Sequence, residues 1–259
     1  MIDLPSPSTF AAIAAEPRFY AAIAVSLVAG AVRGFSGFGA ALIFVPLVSA
    51  LYDPRTAAGA YLCIDFAVAL AVLPSVWRDA HWRDIGPLAA AAVIAAQFGA
   101  LILIYADPTA LRWGIVIVVL TLLGVLMSGW RYHGRPILPV TLGVGALAGA
   151  LGGAIQIVGP PVIVYWLGSS SSHAVVRANL NAFFAVFACA LFVTYLGRGL
   201  LPANVIALAL LLGPVQLLAL WSGARLFHRA SAETYRRVAY VIVALSALAS
   251  MPVLDGFLR

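Results

Sequence analysis

The sequence predicts an all-α integral membrane protein. It predicts two four-segment repeats, inverted with respect to each other, with broken or re-entrant helices in segments one and five. Three observations carry this. The chain is 64% hydrophobic and only 9% charged, with a mean hydropathy of +1.06, where a soluble domain carries roughly 25% charged residues. Its apolar stretches have the length of spanning helices rather than of barrel strands. Two of them are interrupted near their middles by glycine and proline, the residues a helix interior tolerates worst.

In chain order, residues 1–18 read as a surface segment. They hold Asp3, Glu16 and three prolines and lack the basic start of a cleavable signal peptide. Residues 19–130 form the first repeat, with apolar segments at 19–50, 57–77, 86–105 and 111–130. Residues 131–136, which contain the polar "YHGRP" at 132–136, are a linker. Residues 137–259 form the second repeat, with segments at 137–168, 178–197, 202–224 and 236–254. Segments one and five, each about 31 residues, would overshoot a hydrocarbon core of roughly 30 Å by about half as straight helices. Each is therefore expected to be two half-helices or a hairpin. Helix starts are marked by Asp107 before Pro108, and by Ser231 with Glu233 in the following turn.

The repeat is legible as recurring residues. An offset of 115 places Gly30, Gly34, Gly37 and Pro46 on Gly145, Gly149, Gly152 and Pro161, and Arg33 on Ala148. An offset of 124 places Gly99 on Gly223 and Arg112 on Arg236. The +6 net charge comes entirely from arginine, and in a membrane protein it reads as topology rather than nucleic-acid binding. If all eight segments cross, the loop arginines divide evenly between the two faces. If segments one and five each enter and leave on one side, only Arg18, Arg55, Arg112, Arg198 and Arg259 oppose the other loop arginines. Each repeat then crosses three times, and the two are inverted.

Chemistry is expected at the breaks. In "RGFSGFG", Arg33, Ser36, Gly37, Phe38 and Gly39 surround the first; in "GGAIQIVGPP", Gly152, Gly153 and Gln156 surround the second. Irregular backbone at membrane depth persists only inside protein or beside water. A half-helix that starts there presents free N–H groups to an anion. The competing reading is that the glycines serve helix packing alone. Asp65 is an intramembrane carboxylate, either the carrier of a coupling proton or a partner of Arg33. Arg177, Asn179 and Asn181 open segment six, either as donors for a sulfonate or carboxylate or as a capped, snorkelling helix start. Gln97 and Gln216 are weaker candidates.

Enzyme readings fail on the sequence. "GFSG" around Ser36 would need a histidine in reach, and His81, His133, His173 and His228 all fall in or beside loops. No Walker-type loop and no cluster with metal-ligand spacing occurs, and no cofactor is expected. Cys63 and Cys189 read as packing residues.

The glycine-rich break followed by an apolar run and proline, "GFSGFGAALIFVP", with its second copy, resembles the TauE/SafE family of sulfite and organosulfonate exporters. The resemblance covers nearly the whole chain. The second copy departs from the pattern, because Gln156 and Gly159-Pro160-Pro161 replace the more usual glycine-and-apolar sequence. The resemblance implies a multi-pass anion exporter of the cytoplasmic membrane. Its expected partners are a small anionic substrate and membrane lipid, with a homodimer left open and no nucleic acid. The rival readings are an anion channel and a non-transporting scaffold.

Overall fold

The computed structural model describes residues 4–36, 39–130, 137–167, 173–226 and 232–255. The expected linker at 131–136, the Ser231 cap, and Gly37 and Phe38 lie outside them. Among the described residues, eleven α-helices run in the order α1 (Pro7–Ala15), α2 (Pro17–Ser36), α3 (Ala40–Leu51), α4 (Pro54–Val76), α5 (Trp82–Tyr105), α6 (Pro108–Met127), α7 (Leu138–Ile155), α8 (Gly159–Leu167), α9 (His173–Gly197), α10 (Ala203–Leu226) and α11 (Ala232–Ala249). Six of them, α4 to α7, α9 and α10, are long and apolar enough to cross a membrane.

Local chemistry explains the boundaries. The stretch expected as a surface segment contains α1, because Ser6 caps it and Pro7 opens it. Glu16 is extended, as a residue before proline prefers, and the chain bends by 88° between α1 and α2. The expected cap at Asp107 is present: its carboxylate accepts the Ala110 N–H at 2.9 Å. Asp53 does the same for α4, accepting from the Arg55 and Thr56 N–H groups.

Cα packing divides the chain into two compact units. The first holds 1–64, 106–124 and 199–259; the second holds 65–105 and 125–198. Each draws helices from both halves of the sequence. Within the first, α2 lies along α10. A Cβ on Gly30 or Gly34 would strike the carbonyl oxygens of Gln216 or Leu220, and one on Gly223 would strike that of Ala31. Within the second, α7 lies along α5. A Cβ on Gly149 or Gly153 would strike the carbonyls of Ala92 or Ala96, and one on Gly99 that of Ala150. Small residues every fourth position let two backbones approach this closely, which supplies dispersion where no hydrophobic effect is available between helices.

The two seams are built alike. Gly30 meets the Gln216 carbonyl oxygen and the Ala219 Cβ, and Gly145 meets the Leu88 carbonyl oxygen and the Ala91 Cβ at nearly the same distances. Gly34 and Gly149 likewise each face a carbonyl, of Leu220 and of Ala92. Glycines recur every fourth residue along both seams, so a slip of one turn still superposes glycine on glycine. Pro108 and Ala232 open α6 and α11.

Each broken segment folds back on itself. In the first unit the Arg18 guanidinium lies 4.3 Å over the Tyr52 ring, joining the start of α2 to the end of α3. A cavity of about 170 Å³ lined by Glu16, Arg18, Tyr52, Asp53 and Asn204 marks the place. The Arg18 hydrogen bonds hold the Glu16 carboxyl below its ordinary range. In the second unit the hydroxyls of Thr141 and Tyr165 are 2.6 Å apart, joining the start of α7 to the end of α8. Both segments are helical hairpins.

Candidate functional site

Each unit carries one hairpin tip. In the first unit, α2 ends at Ser36 and Gly39 starts α3 in the left-handed region, with φ +93°. Only glycine adopts this at low cost. The Gly39 carbonyl accepts the Leu42 N–H at 3.0 Å. The preceding N–H groups of Ala40 and Ala41 belong to a first turn, which has no intrahelical acceptors. The following residues of α3 are almost wholly enclosed, from Leu42 to Pro46.

Arg33 sits in the last turn of α2, where the helix dipole favours a cation. It is half-buried, and its Nη1 donates to the Tyr61 hydroxyl on α4 at 3.2 Å. The Tyr61 ring lies 5.5 Å from that of Phe44 on α3, so aromatic packing fixes the hydroxyl that meets Arg33. Of the other residues expected here, Ser36 is helical and Gly39 forms the turn, while Gly37 and Phe38 lie outside the described residues.

The tip in the second unit is built differently. Gln156 ends α7 in the left-handed region, at φ 60° and ψ 16°, and is the one non-glycine with positive φ among the described residues. Its N–H donates to the Gly152 carbonyl at 3.0 Å. The Gly153 carbonyl, left without a partner by the end of the helix, accepts the hydroxyl of the fully buried Tyr195 on α9 at 2.7 Å. The Gln156 side chain lies beside that phenol. Gln156 is 6% exposed, and its Nε2 is buried with no hydrogen-bond partner.

Two of the expected glycines here have packing roles. Gly153 faces Ala96, and a Cβ on Gly152 would meet the Phe187 ring at 2.6 Å. The half-helix that follows is a poor source of backbone donors. Pro160 and Pro161 carry no N–H, so two of the four free N–H groups of the α8 start do not exist.

The remaining candidates are dispersed. Asn179 is buried at the start of α9, where its Oδ1 accepts the His81 N–H at 2.8 Å and so caps α5. Arg177 is exposed and Asn181 half-buried on the same helix. Asp65 is half-buried in the middle of α4. Gln97 donates to the Thr194 hydroxyl at 2.7 Å and accepts from Arg198 at 3.4 Å. Among the described residues no three histidine, cysteine or acidic side chains come together to hold a metal. Sequence reasoning passed over Tyr61 and Tyr195. The available signal was a tyrosine deep in an apolar helix, whose hydroxyl must find a partner when buried.

A family profile described as "Sulfite exporter TauE/SafE" matches residues 22–250. The chain belongs to the TauE/SafE family. The resemblance read from the glycine-rich break therefore holds over nearly the whole chain. Neither the curated proteins nor the solved structures yielded a match. Membership of TauE/SafE, together with six spanning helices, identifies a multi-pass membrane protein of a transporter family, with a small-molecule substrate and a lipid environment.

Proposed function

We propose that the chain is a secondary transporter that moves a small anion, sulfite or an organosulfonate or a related organic acid, across the cytoplasmic membrane. It acts as an exporter driven by a proton or ion gradient. The observation that carries this reading is the TauE/SafE match over residues 22–250. The two hairpins support it. Broken helices in corresponding positions are where transporters of this general architecture place their binding residues. The like construction of the two glycine seams supports a duplicated unit. A hairpin that returns to its starting side leaves three crossings per repeat and makes the repeats inverted.

In this reading the first tip binds anion through Arg33, Ser36 and the backbone of Gly37, Phe38 and Gly39. The second tip binds anion through Gly152, Gly153 and Gln156. Arg177, Asn179 and Asn181 supply further donors along α9, with the Asn179 amide N–H group as the arm left over from its capping bond. Asp65 carries the coupling proton. A homodimer is compatible with this scheme. The test is counterflow in proteoliposomes holding the purified protein, with sulfite, taurine, isethionate and small carboxylates. Saturable uptake that follows an imposed proton gradient is the expected result. Non-saturable flux of all anions at one rate would point to a channel and overturn the reading.

A further inference from the structure

Two features of Gln156 are costly in a folded chain. A non-glycine residue in the left-handed region is destabilised by about 1–2 kcal/mol relative to its ordinary conformation. A buried amide donor without a partner loses its hydration with nothing in return. A glycine at this position would accept the positive φ without strain. The second hairpin thus carries a strained residue whose carboxamide is enclosed beside the Tyr195 phenol, where a glycine would adopt the same φ at low cost. Pro160 and Pro161 meanwhile delete backbone N–H groups four and five residues downstream.

Resting on the anion-transport reading above, we propose that Gln156 is the principal oxyanion donor of the second unit and a specificity determinant of this chain. Its carboxamide N–H group takes the role that the missing N–H groups of Pro160 and Pro161 play in an ordinary half-helix start. The chemistry has a consequence for selection. A neutral amide donates to an oxygen of a sulfonate or carboxylate without neutralising its charge. It offers nothing to a cation that a backbone carbonyl would not offer better. The buried Tyr195, committed to the Gly153 carbonyl, forms the wall beside the carboxamide and holds the end of α7 in place.

The test uses the full chain, purified in detergent and reconstituted in liposomes, with isethionate, sulfite and acetate as probes. Two variants separate the roles of side chain and turn. Gln156→Gly keeps the turn and removes the donor. Gln156→Glu keeps the shape and turns a donor into an acceptor of like charge to the probe. In wild type at least one probe raises the melting temperature and is taken up saturably. Gln156→Gly is expected to melt no lower than wild type without anion, to lose the probe-induced shift, and to raise the KM for uptake at least tenfold. Gln156→Glu is expected to lose the shift as completely. A Gln156→Gly protein that binds and transports like wild type would overturn the proposal and leave the transport reading standing. So would one that melts well below wild type without anion, since the carboxamide would then be structural. Wild type that neither shifts with nor transports any probe would overturn both.

Discussion

At the scale of single residues, the membrane interior makes every polar group conspicuous, and the structure distinguishes partnered groups from unpartnered ones. Arg112 is 8% exposed and makes a bidentate pair with Asp255, at 2.6 and 2.8 Å, plus a bond to the Ser250 carbonyl. It ties the end of the described chain to α6. Asp255→Ala should lower stability by roughly 2–3 kcal/mol, near the low end for a broken buried pair because Asp255 is a third exposed. Thermal unfolding in detergent measures this. Replacing both partners with leucine should recover much of the loss, since no charge then stays buried. Arg33 donates to the neutral Tyr61 hydroxyl. Arg33→Ala should cut anion uptake at least about tenfold, as loss of a charge-assisted donor does. Arg33→Lys should fall between, keeping the charge but losing the planar fork. Wild-type uptake by Arg33→Ala would remove Arg33 from the binding set.

At the scale of elements, α7 shows how one helix mixes packing and chemistry. Its glycines at 145, 149 and 153 line the seam with α5, while Gly143 on the same helix has open space around a notional Cβ. Gly149→Ala should destabilise by about 1–3 kcal/mol through overpacking. Gly143→Ala should be neutral or slightly stabilising, because alanine is the better helix former. Melting temperatures of the two variants make the comparison, and equal values would mean that the seam is not tight. The sequence showed the eight apolar segments, both breaks and the Asp107 cap, because each rests on local chemistry. It left the use of each glycine open. A glycine that lets backbones touch and one that frees a turn are the same letter. Gly39, with φ +93°, does the second and Gly149 the first, and only coordinates separate them.

At the scale of the whole molecule, the arginine count leaves two topologies, which differ in whether segments one and five cross the membrane. The ends of segment one adjoin through Arg18 and Tyr52. Single cysteines at Arg18→Cys and Arg55→Cys in an otherwise cysteine-free protein should therefore be labelled by a membrane-impermeant maleimide from the same side. Labelling from opposite sides would mean that segment one crosses, and the inverted arrangement would fall. The sequence by itself determined that this is a helical membrane protein of the TauE/SafE kind, with segment limits and broken helices in the places found. Hydropathy, proline and capping are local or compositional and need no partner to be read. Only the tertiary structure decided that α2 lies along α10 and α5 along α7, and that Tyr61 and Tyr195 stand at the two tips. A glycine stripe repeats every turn, so each one-turn slip offers an equally smooth face. The choice among them is made by contacts between residues far apart in the chain.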